Sequence, residues 1–259
     1  MKYRAGLLLF VPALAQADPL ITDPQSFSAG IIGVAALVDV QNVDVAARPP
    51  ATLGTSRTIL GLGLAAAYGV TDRVTVGATY HFDLHDDSGS FPSNGRYKGP
   101  LVVHAAYSVV ADGRLFVTAG LDGELHIENR DDRALHAGVA AKYLVTPRLA
   151  VYSGNPLRLG PAGQQLAIQL ADNGPVTLAV PLGLAFQPAP QLFAYADVTL
   201  AKLALAYSST QWLARDIAPV DAGVLVRAAP AFDVGFVLTD DFEQARSYDI
   251  GITARYVTP

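Results

Sequence analysis

The chain is 259 residues long, contains no cysteine and carries a formal charge of −5 at pH 7. The lack of cysteine excludes a disulfide framework and a lipidated cysteine, and the acidic charge argues against a general nucleic-acid-binding surface. The mean hydropathy of +0.30 is high, yet no run after the N-terminus approaches the about 20 apolar residues of a membrane helix. Two classes remain: a soluble β-protein with an apolar core, and a membrane β-barrel with alternating strands.

The first predicted element is a secretory signal peptide at residues 1–17. Lys2 and Arg4 give a positive start, a short apolar run follows, and an Ala-Gln-Ala sequence precedes Asp18. The apolar run is too short to cross a bilayer as a helix. We therefore expect residues 18–259 to form one exported domain with a formal charge near −7, because the removed segment carries two basic residues and no acidic ones.

Alternation of apolar and polar residues predicts β-strands along the rest of the chain. Segments 74–84, 115–127 and 248–256 show it most clearly, with apolar side chains on one face and polar or small ones on the other. A helix would scatter these sets around its circumference, because its period is 3.6 residues. Similar patterns predict further strands near 27–39, 60–68, 101–107, 135–143, 149–152, 176–186, 192–205, 220–226 and 232–238.

Short and long connections alternate between these strands. Turn-forming residues predict tight turns at 71–72, 111–113, 146–147, 187–190 and 229–230. Longer polar links are expected at 41–55, 85–99, 128–132, 153–174, 208–218 and 240–245. The five turns join ten strands into hairpins and leave one strand at each end, which predicts about twelve strands in all.

Aromatic residues recur at one depth of the predicted strands. Each lies on an apolar face shortly before a tight turn or at the corresponding end of the last strand, which predicts an aromatic girdle at a membrane interface formed by Tyr68, Tyr107, Tyr143, Phe186 and Tyr256.

These features together resemble the broad class of Gram-negative outer-membrane β-barrels. The members of this class have short periplasmic turns, longer external loops and even strand numbers. The resemblance implies an all-β, antiparallel, up-and-down transmembrane barrel in the bacterial outer membrane, inserted by the barrel assembly machinery and surrounded by lipid. Barrels of this class often end on an aromatic residue, whereas here Tyr256 is followed by three more residues.

Polar faces of the predicted strands supply candidate pore-lining residues. With the tight turns taken as periplasmic, Asp83, Glu124, Asp221 and Asp249 fall in the outer half of the lumen, and Asp122 and Asp197 near its middle. The periplasmic half receives Lys142, Arg227 and Arg255, with Asp233 as an acidic exception. Four histidines also point inward: His81, His104, His126 and His136. Imidazoles beside carboxylates suit a transition metal, but they suit hydrogen-bonded lumen histidines at least as well, so we predict no metal site.

The sequence contains no motif for a cofactor, and we predict none. One short sequence is a candidate catalytic motif. Residues 93–96 are Ser-Asn-Gly-Arg and are similar to part of the active site of twelve-stranded outer-membrane phospholipases. No histidine lies two residues before Ser93, and Asn-Gly is also a common turn pair. We therefore predict that the protein is not an enzyme.

Two functions remain open from the sequence. The first is a porin-like channel for modest solutes with a weak preference for cations, since carboxylates at a pore mouth concentrate cations. The second is a structural or surface-interaction barrel whose lumen is filled by side chains and by the predicted 153–174 loop, because twelve strands lie between filled eight-stranded barrels and open porins. A lipid hydrolase and a soluble periplasmic β-protein are less favoured alternatives.

Overall fold

The computed structural model of the chain describes residues 20–45, 55–86, 98–125, 133–157, 166–171, 177–205, 212–215, 219–241 and 247–258. After a single turn of 3-10 helix, Leu20–Thr22, these residues form fourteen strand segments. The segments are β1 (Ile32–Val45), β2 (Thr55–Gly69), β3 (Val74–Asp86), β4 (Lys98–Ala111), β5 (Leu115–Leu125), β6 (Arg133–Thr146), β7 (Leu149–Ser153), β8 (Leu166–Ala171), β9 (Thr177–Ala189), β10 (Leu192–Leu205), β11 (Trp212–Arg215), β12 (Pro219–Ala229), β13 (Phe232–Asp241) and β14 (Ser247–Val257). No helix among the described residues is both long and apolar enough to cross a membrane.

The segments make a closed antiparallel barrel of twelve strand positions. Strand β1 pairs with both β2 and β14, which closes the ring between the first and last strands. Segments β7 and β8 pair in succession with the two halves of β6 and share one position. Segments β11 and β12 share another position in the same way beside β10. The prediction of an all-β barrel with about twelve antiparallel strands is confirmed.

The two ends of the barrel differ in their connections. All five predicted tight turns are present, and they lie at one end, which we call the turn end. Residues 32 and 258 also meet there through two hydrogen bonds of 2.9 Å. The opposite end, the loop end, is where strands are joined by the longer connections.

One turn shows how the sequence fixes these hairpins. The Asp112 carboxylate accepts hydrogen bonds from the backbone N–H groups of Leu115 (2.7 Å) and Arg114 (3.0 Å). These bonds hold the pKa of Asp112 below its ordinary value. Gly113 follows at φ +88°, a conformation that glycine adopts without steric cost.

The two faces of the barrel wall have opposite character. Most large apolar side chains of the strands point outward and are exposed, as at Val38, Leu64, Leu184 and Ile252. Polar side chains alternate with them and are buried inside. Glycines on neighbouring strands make room for the larger inward side chains: a Cβ on Gly183 would collide with Tyr152. Strand glycines such as this one therefore relieve crowding in the lumen.

The turn half of the lumen is filled. Residues 20–31, which we call the N-terminal segment, precede β1, and residues 20–27 are buried or half-buried inside the barrel whereas residues 28–30 are exposed. Residues 154–157, which we call the inward bend, leave the wall after β7 and also lie inside. Both contribute to an apolar cluster with inward side chains of the wall, formed by Leu20, Ile21, Phe116, Leu144, Ala150, Tyr152, Leu157, Ala185, Phe193, Tyr195 and Leu225.

Three boundary predictions are corrected by the structure. The first strand was expected at 27–39 but runs from Ile32 to Val45, because residues 27–31 belong to the N-terminal segment. The link predicted at 153–174 contains strand β8, which pairs with β6 and β9. The link predicted at 208–218 contains strand β11, which extends the hydrogen bonding of β10. In each case pairing with a neighbouring strand decides the conformation where the local pattern is short or mixed.

Candidate functional site: the lumen

Five aspartates line one side of the lumen and form what we call the acidic arc: Asp39, Asp83, Asp197, Asp221 and Asp249. Strand pairing places them in sequence around the wall. Asp197 lies opposite Asp221 between β10 and β12, Asp221 opposite Thr239, and Thr239 opposite Asp249. The arc thus extends over neighbouring strands instead of grouping at one point.

Asp39 on β1 is the most buried member of the acidic arc. His81 Nε2 lies 3.0 Å from its Oδ1, and Gln41 Nε2 donates to its Oδ2 at 2.7 Å. His81 Nδ1 is 3.9 Å from Asp83 Oδ1. The imidazole therefore bridges two carboxylates, and a protonated ring would neutralise part of their charge.

At the β10 and β12 end of the arc, hydroxyl groups donate hydrogen bonds to the aspartates. Tyr152 OH donates to Asp197 Oδ2 at 2.7 Å, and Thr239 donates to Asp221 Oδ1 at 2.5 Å. One buried oxygen each of Asp197 and Asp249 has no hydrogen-bond partner among the described residues. Buried carboxylate oxygens are costly without a donor or a counter-charge, so these two atoms are sites where a cation or water would bind favourably.

A basic cluster lies nearer the turn end. Arg255 donates from Nε (3.0 Å) and Nη2 (2.6 Å) to Asp233 Oδ2, and Arg227 Nε donates to Asp233 Oδ1 at 3.0 Å. Asp233 and Arg255 are almost fully buried. The two guanidinium groups thus share the Asp233 carboxylate.

Lys142 connects the wall to the residues inside it. Its side chain is fully buried, and Nζ donates to the backbone carbonyls of Asp23 (2.5 Å) and Pro156 (3.1 Å). Nζ also lies 5.0 Å from the centre of the Phe116 ring, within the range of a cation–π contact. Lys142 therefore holds the N-terminal segment and the inward bend together.

The remaining predicted lumen residues form a second group on β4 to β6. His104 pairs with Asp122, and Asp122 with His136. His136 Nε2 lies 3.2 Å from Glu124 Oε2. All four are partly buried, and His126 lies outside the described residues.

Metal binding gains no support from this geometry. Within the described ranges, no group of three or more His, Cys, Asp or Glu side chains is arranged to hold a metal ion. The Ser-Asn-Gly-Arg sequence at 93–96, considered above as a catalytic motif, lies outside the residues that the structure describes.

The five predicted girdle aromatics occupy equivalent places. Each points outward near the turn end and is exposed by 43–49%. Tyr107 OH lies 3.4 Å from the Arg73 guanidinium in the next turn, and Phe232 lies beside Tyr256 across β13 and β14. The structure thus brings these rings into one band, while their contact with a membrane interface stays a prediction.

Sequence reasoning missed several residues of the lumen. Asp39 was overlooked as a site residue because the first strand is apolar on both faces over part of its length. Tyr152 lies in a short predicted strand, and Tyr195 lies in a strand that is apolar on both faces, so the sequence pattern does not show that they point inward. The glycines opposite them, Gly183 and Gly223, are the sequence feature that could have identified them. The contacts of the N-terminal segment carry no local pattern at all.

Comparison with known proteins finds the same architecture without a close relative. No known protein family and no curated protein matches the sequence. Among solved structures, the KdgM porin in complex with disordered oligogalacturonate aligns with TM-score 0.57 and 8% identity, over 86% of this chain and 98% of KdgM. The COG4313 outer membrane channel from Pseudomonas putida F1 aligns with TM-score 0.57 and 13% identity, over 91% and 98%. The NanC porin aligns with TM-score 0.54 and 7% identity, over 87% and 98%.

Proposed function

We propose that the protein is an outer-membrane channel for small solutes, with a preference for cations over anions. The observation that carries the proposal is the acidic arc, in which two buried carboxylate oxygens have no protein donor among the described residues. Carboxylates along a narrow passage concentrate cations and repel anions. The outward apolar side chains supply the surface that lipid would cover.

The comparisons support a channel and also bear on the solute. All three solved structures named above are porins or channels by description. KdgM was solved with oligogalacturonate, a polyanionic sugar. A polyanion would meet the acidic arc at close range, so we propose that this chain does not share that solute and takes neutral or cationic ones.

Ion selectivity tests this proposal. In a planar bilayer with a salt gradient, we expect a reversal potential that favours cations at neutral pH. The double variant Asp221→Asn and Asp249→Asn should bring the cation-to-anion permeability ratio close to one, because it removes two carboxyl groups from the arc. Asp112→Asn is the matched control, since this aspartate lies in an exposed turn and its replacement should leave the ratio unchanged. An anion-selective wild-type protein would refute the proposal.

The same measurement has a pH dependence. Unperturbed imidazole titrates near pH 6.5, and His81 lies beside the carboxylates of Asp39 and Asp83. Lowering the pH from about 8 to about 5 adds positive charge at this place, so the cation preference should weaken. Selectivity that is constant over this range would show that His81 does not face the ion path.

A second candidate function is a filled barrel with a structural or surface-interaction role. The observation that favours it is the turn half of the lumen, where the N-terminal segment and the inward bend contribute buried side chains. This function requires that the filling is permanent, and it predicts no conductance under any condition.

Lipid hydrolysis provides a separate test of the non-enzyme prediction. We expect no release of fatty acid from phospholipid vesicles by the purified protein, because Ser93 has no histidine at the spacing found in the phospholipases it resembles. The variant Ser93→Ala serves as the control. Activity in the wild type that disappears in this variant would overturn the prediction.

A further inference from the structure

We propose that the N-terminal segment, residues 20–31, is a displaceable gate that closes the lumen at the turn end. This inference rests on the proposed channel function and adds the means by which the channel is closed. It is carried by the course of the segment, the nature of its contacts and the apolar site that receives its tip.

The segment crosses the lumen from one wall to the other. At its start, the Ile21 N–H donates to Gln187 Oε1 on β9 at 2.7 Å. Near its end, the Phe27 N–H donates to Thr75 Oγ1 on β3 at 2.7 Å, and the Ala29 N–H to Asp72 Oδ1 at 3.2 Å. Strands β3 and β9 are five positions apart in a ring of twelve. The segment therefore lies nearly along a diameter of the barrel.

The tip of the segment occupies an apolar site. Leu20 and Ile21 are fully buried among inward side chains of six strands, including Phe116, Leu144 and Phe193. Together with Leu157 of the inward bend, they belong to the apolar cluster in the turn half of the lumen. In the proposed channel, a solute moving along the axis would have to displace them.

The attachment of the segment is unlike that of the wall. Wall strands pair over as many as fourteen consecutive residues, as β1 and β2 do. Residues 20–29 are held instead through bonds that involve side chains, including Lys142 to the Asp23 carbonyl and Gln25 to the Asn155 carbonyl. Elements held without a continuous strand ladder open at lower free energy than the strands around them.

A pivot lies between the segment and the wall. Gly30 adopts φ +81°, and a Cβ built there would meet nothing within 4 Å. Its N–H donates to the Gly69 carbonyl at 2.9 Å, which anchors the chain at the rim. Rotation about this residue would swing residues 20–29 out of the lumen while β1 to β14 stay paired.

Release of the gate is tested by placing a charge at its tip. In the variant Ile21→Asp a carboxylate would replace a fully buried apolar side chain, which favours the undocked state. We expect the open probability in a planar bilayer to rise at least tenfold over the wild type. The volume-conserving variant Ile21→Leu is the matched control and should behave like the wild type. Equal open probability in all three proteins would overturn the gate.

Cross-linking the N-terminal segment to β9 provides the converse test. The chain contains no cysteine, so Ile21→Cys with Gln187→Cys gives a unique thiol pair across the observed contact. Bridging the pair with a short bis-methanethiosulfonate should suppress conductance, and reduction should restore it. Each single cysteine variant, treated in the same way, controls for modification alone. Conductance that is insensitive to a bridge verified by mass spectrometry would refute gating by this segment.

The channel function and the gate can be refuted separately. If the wild type, Ile21→Asp and the reduced cysteine pair all conduct equally, the channel stands and the gate is refuted. If none of them conducts, including Ile21→Asp, the channel function itself is refuted and the gate with it.

Discussion

An arginine in place of Leu184 is expected to prevent insertion of the barrel. Leu184 is 57% exposed on the outer face and lies five residues before the end of β9. At a strand rise of about 3.3 Å, this puts it near the middle of an apolar band about 25 Å tall. A cation at the midplane costs about 2–4 kcal/mol, so the equilibrium constant between the inserted and the uninserted protein should fall by at least about tenfold.

The free-energy cost of an outward-facing arginine should depend on its depth in the membrane. Val145→Arg places the same charge on the outer face one residue before the end of β6, where the expected cost is about 0–1 kcal/mol, and should insert normally. Outer-membrane fractionation, with electrophoresis before and after boiling, measures both variants. Recovery of the wild-type protein as a soluble periplasmic species would contradict the membrane assignment, as would normal assembly of Leu184→Arg.

Replacement of Asp233 by alanine should produce the largest loss of stability from a lumen residue. Asp233 is the carboxylate shared by Arg227 and Arg255, and it is 2% exposed. Removing one partner of a buried ion pair costs about 3–5 kcal/mol, because the remaining charge is left uncompensated. We expect the midpoint of urea unfolding in detergent micelles to fall accordingly.

A double-variant comparison separates this cause from a general packing defect. If the loss comes from guanidinium groups that no longer contact this carboxylate, adding Arg255→Met to Asp233→Ala should recover part of the stability. Asp240→Ala on the same strand serves as the matched control and should cost under about 1 kcal/mol. Equal losses of unfolding free energy for Asp233→Ala and Asp240→Ala would show that the carboxylate shared by the two arginines does not stabilise the protein more than the Asp240 carboxylate does.

The wall of this barrel could be predicted from the sequence because its information is local. Alternation along segments such as 74–84 sets which side chains point outward, and turn residues such as Asp112 and Gly113 set where hairpins reverse. The outward position of the aromatic band follows from the same two-residue period. Burial of Lys142 and Arg255 was likewise implied by their place on the polar face.

The contents of the lumen could not be predicted in the same way. Strand β11 has only four residues, too few for alternation to be recognised. Asp39 is hidden in a strand that is apolar on both faces, and its importance depends on His81 of another strand. The N-terminal segment depends wholly on contacts distant in sequence, such as those made with Lys142 and Gln187.

The diametric course of the N-terminal segment also constrains the order in which the protein folds. The hydrogen bond between Ile21 and Gln187 joins residues 166 positions apart. It cannot form until β9 has taken its place, and closing so long a loop is entropically costly before the intervening strands pair. The earliest described residues of the chain therefore reach their final position late, after most of the wall has assembled around them.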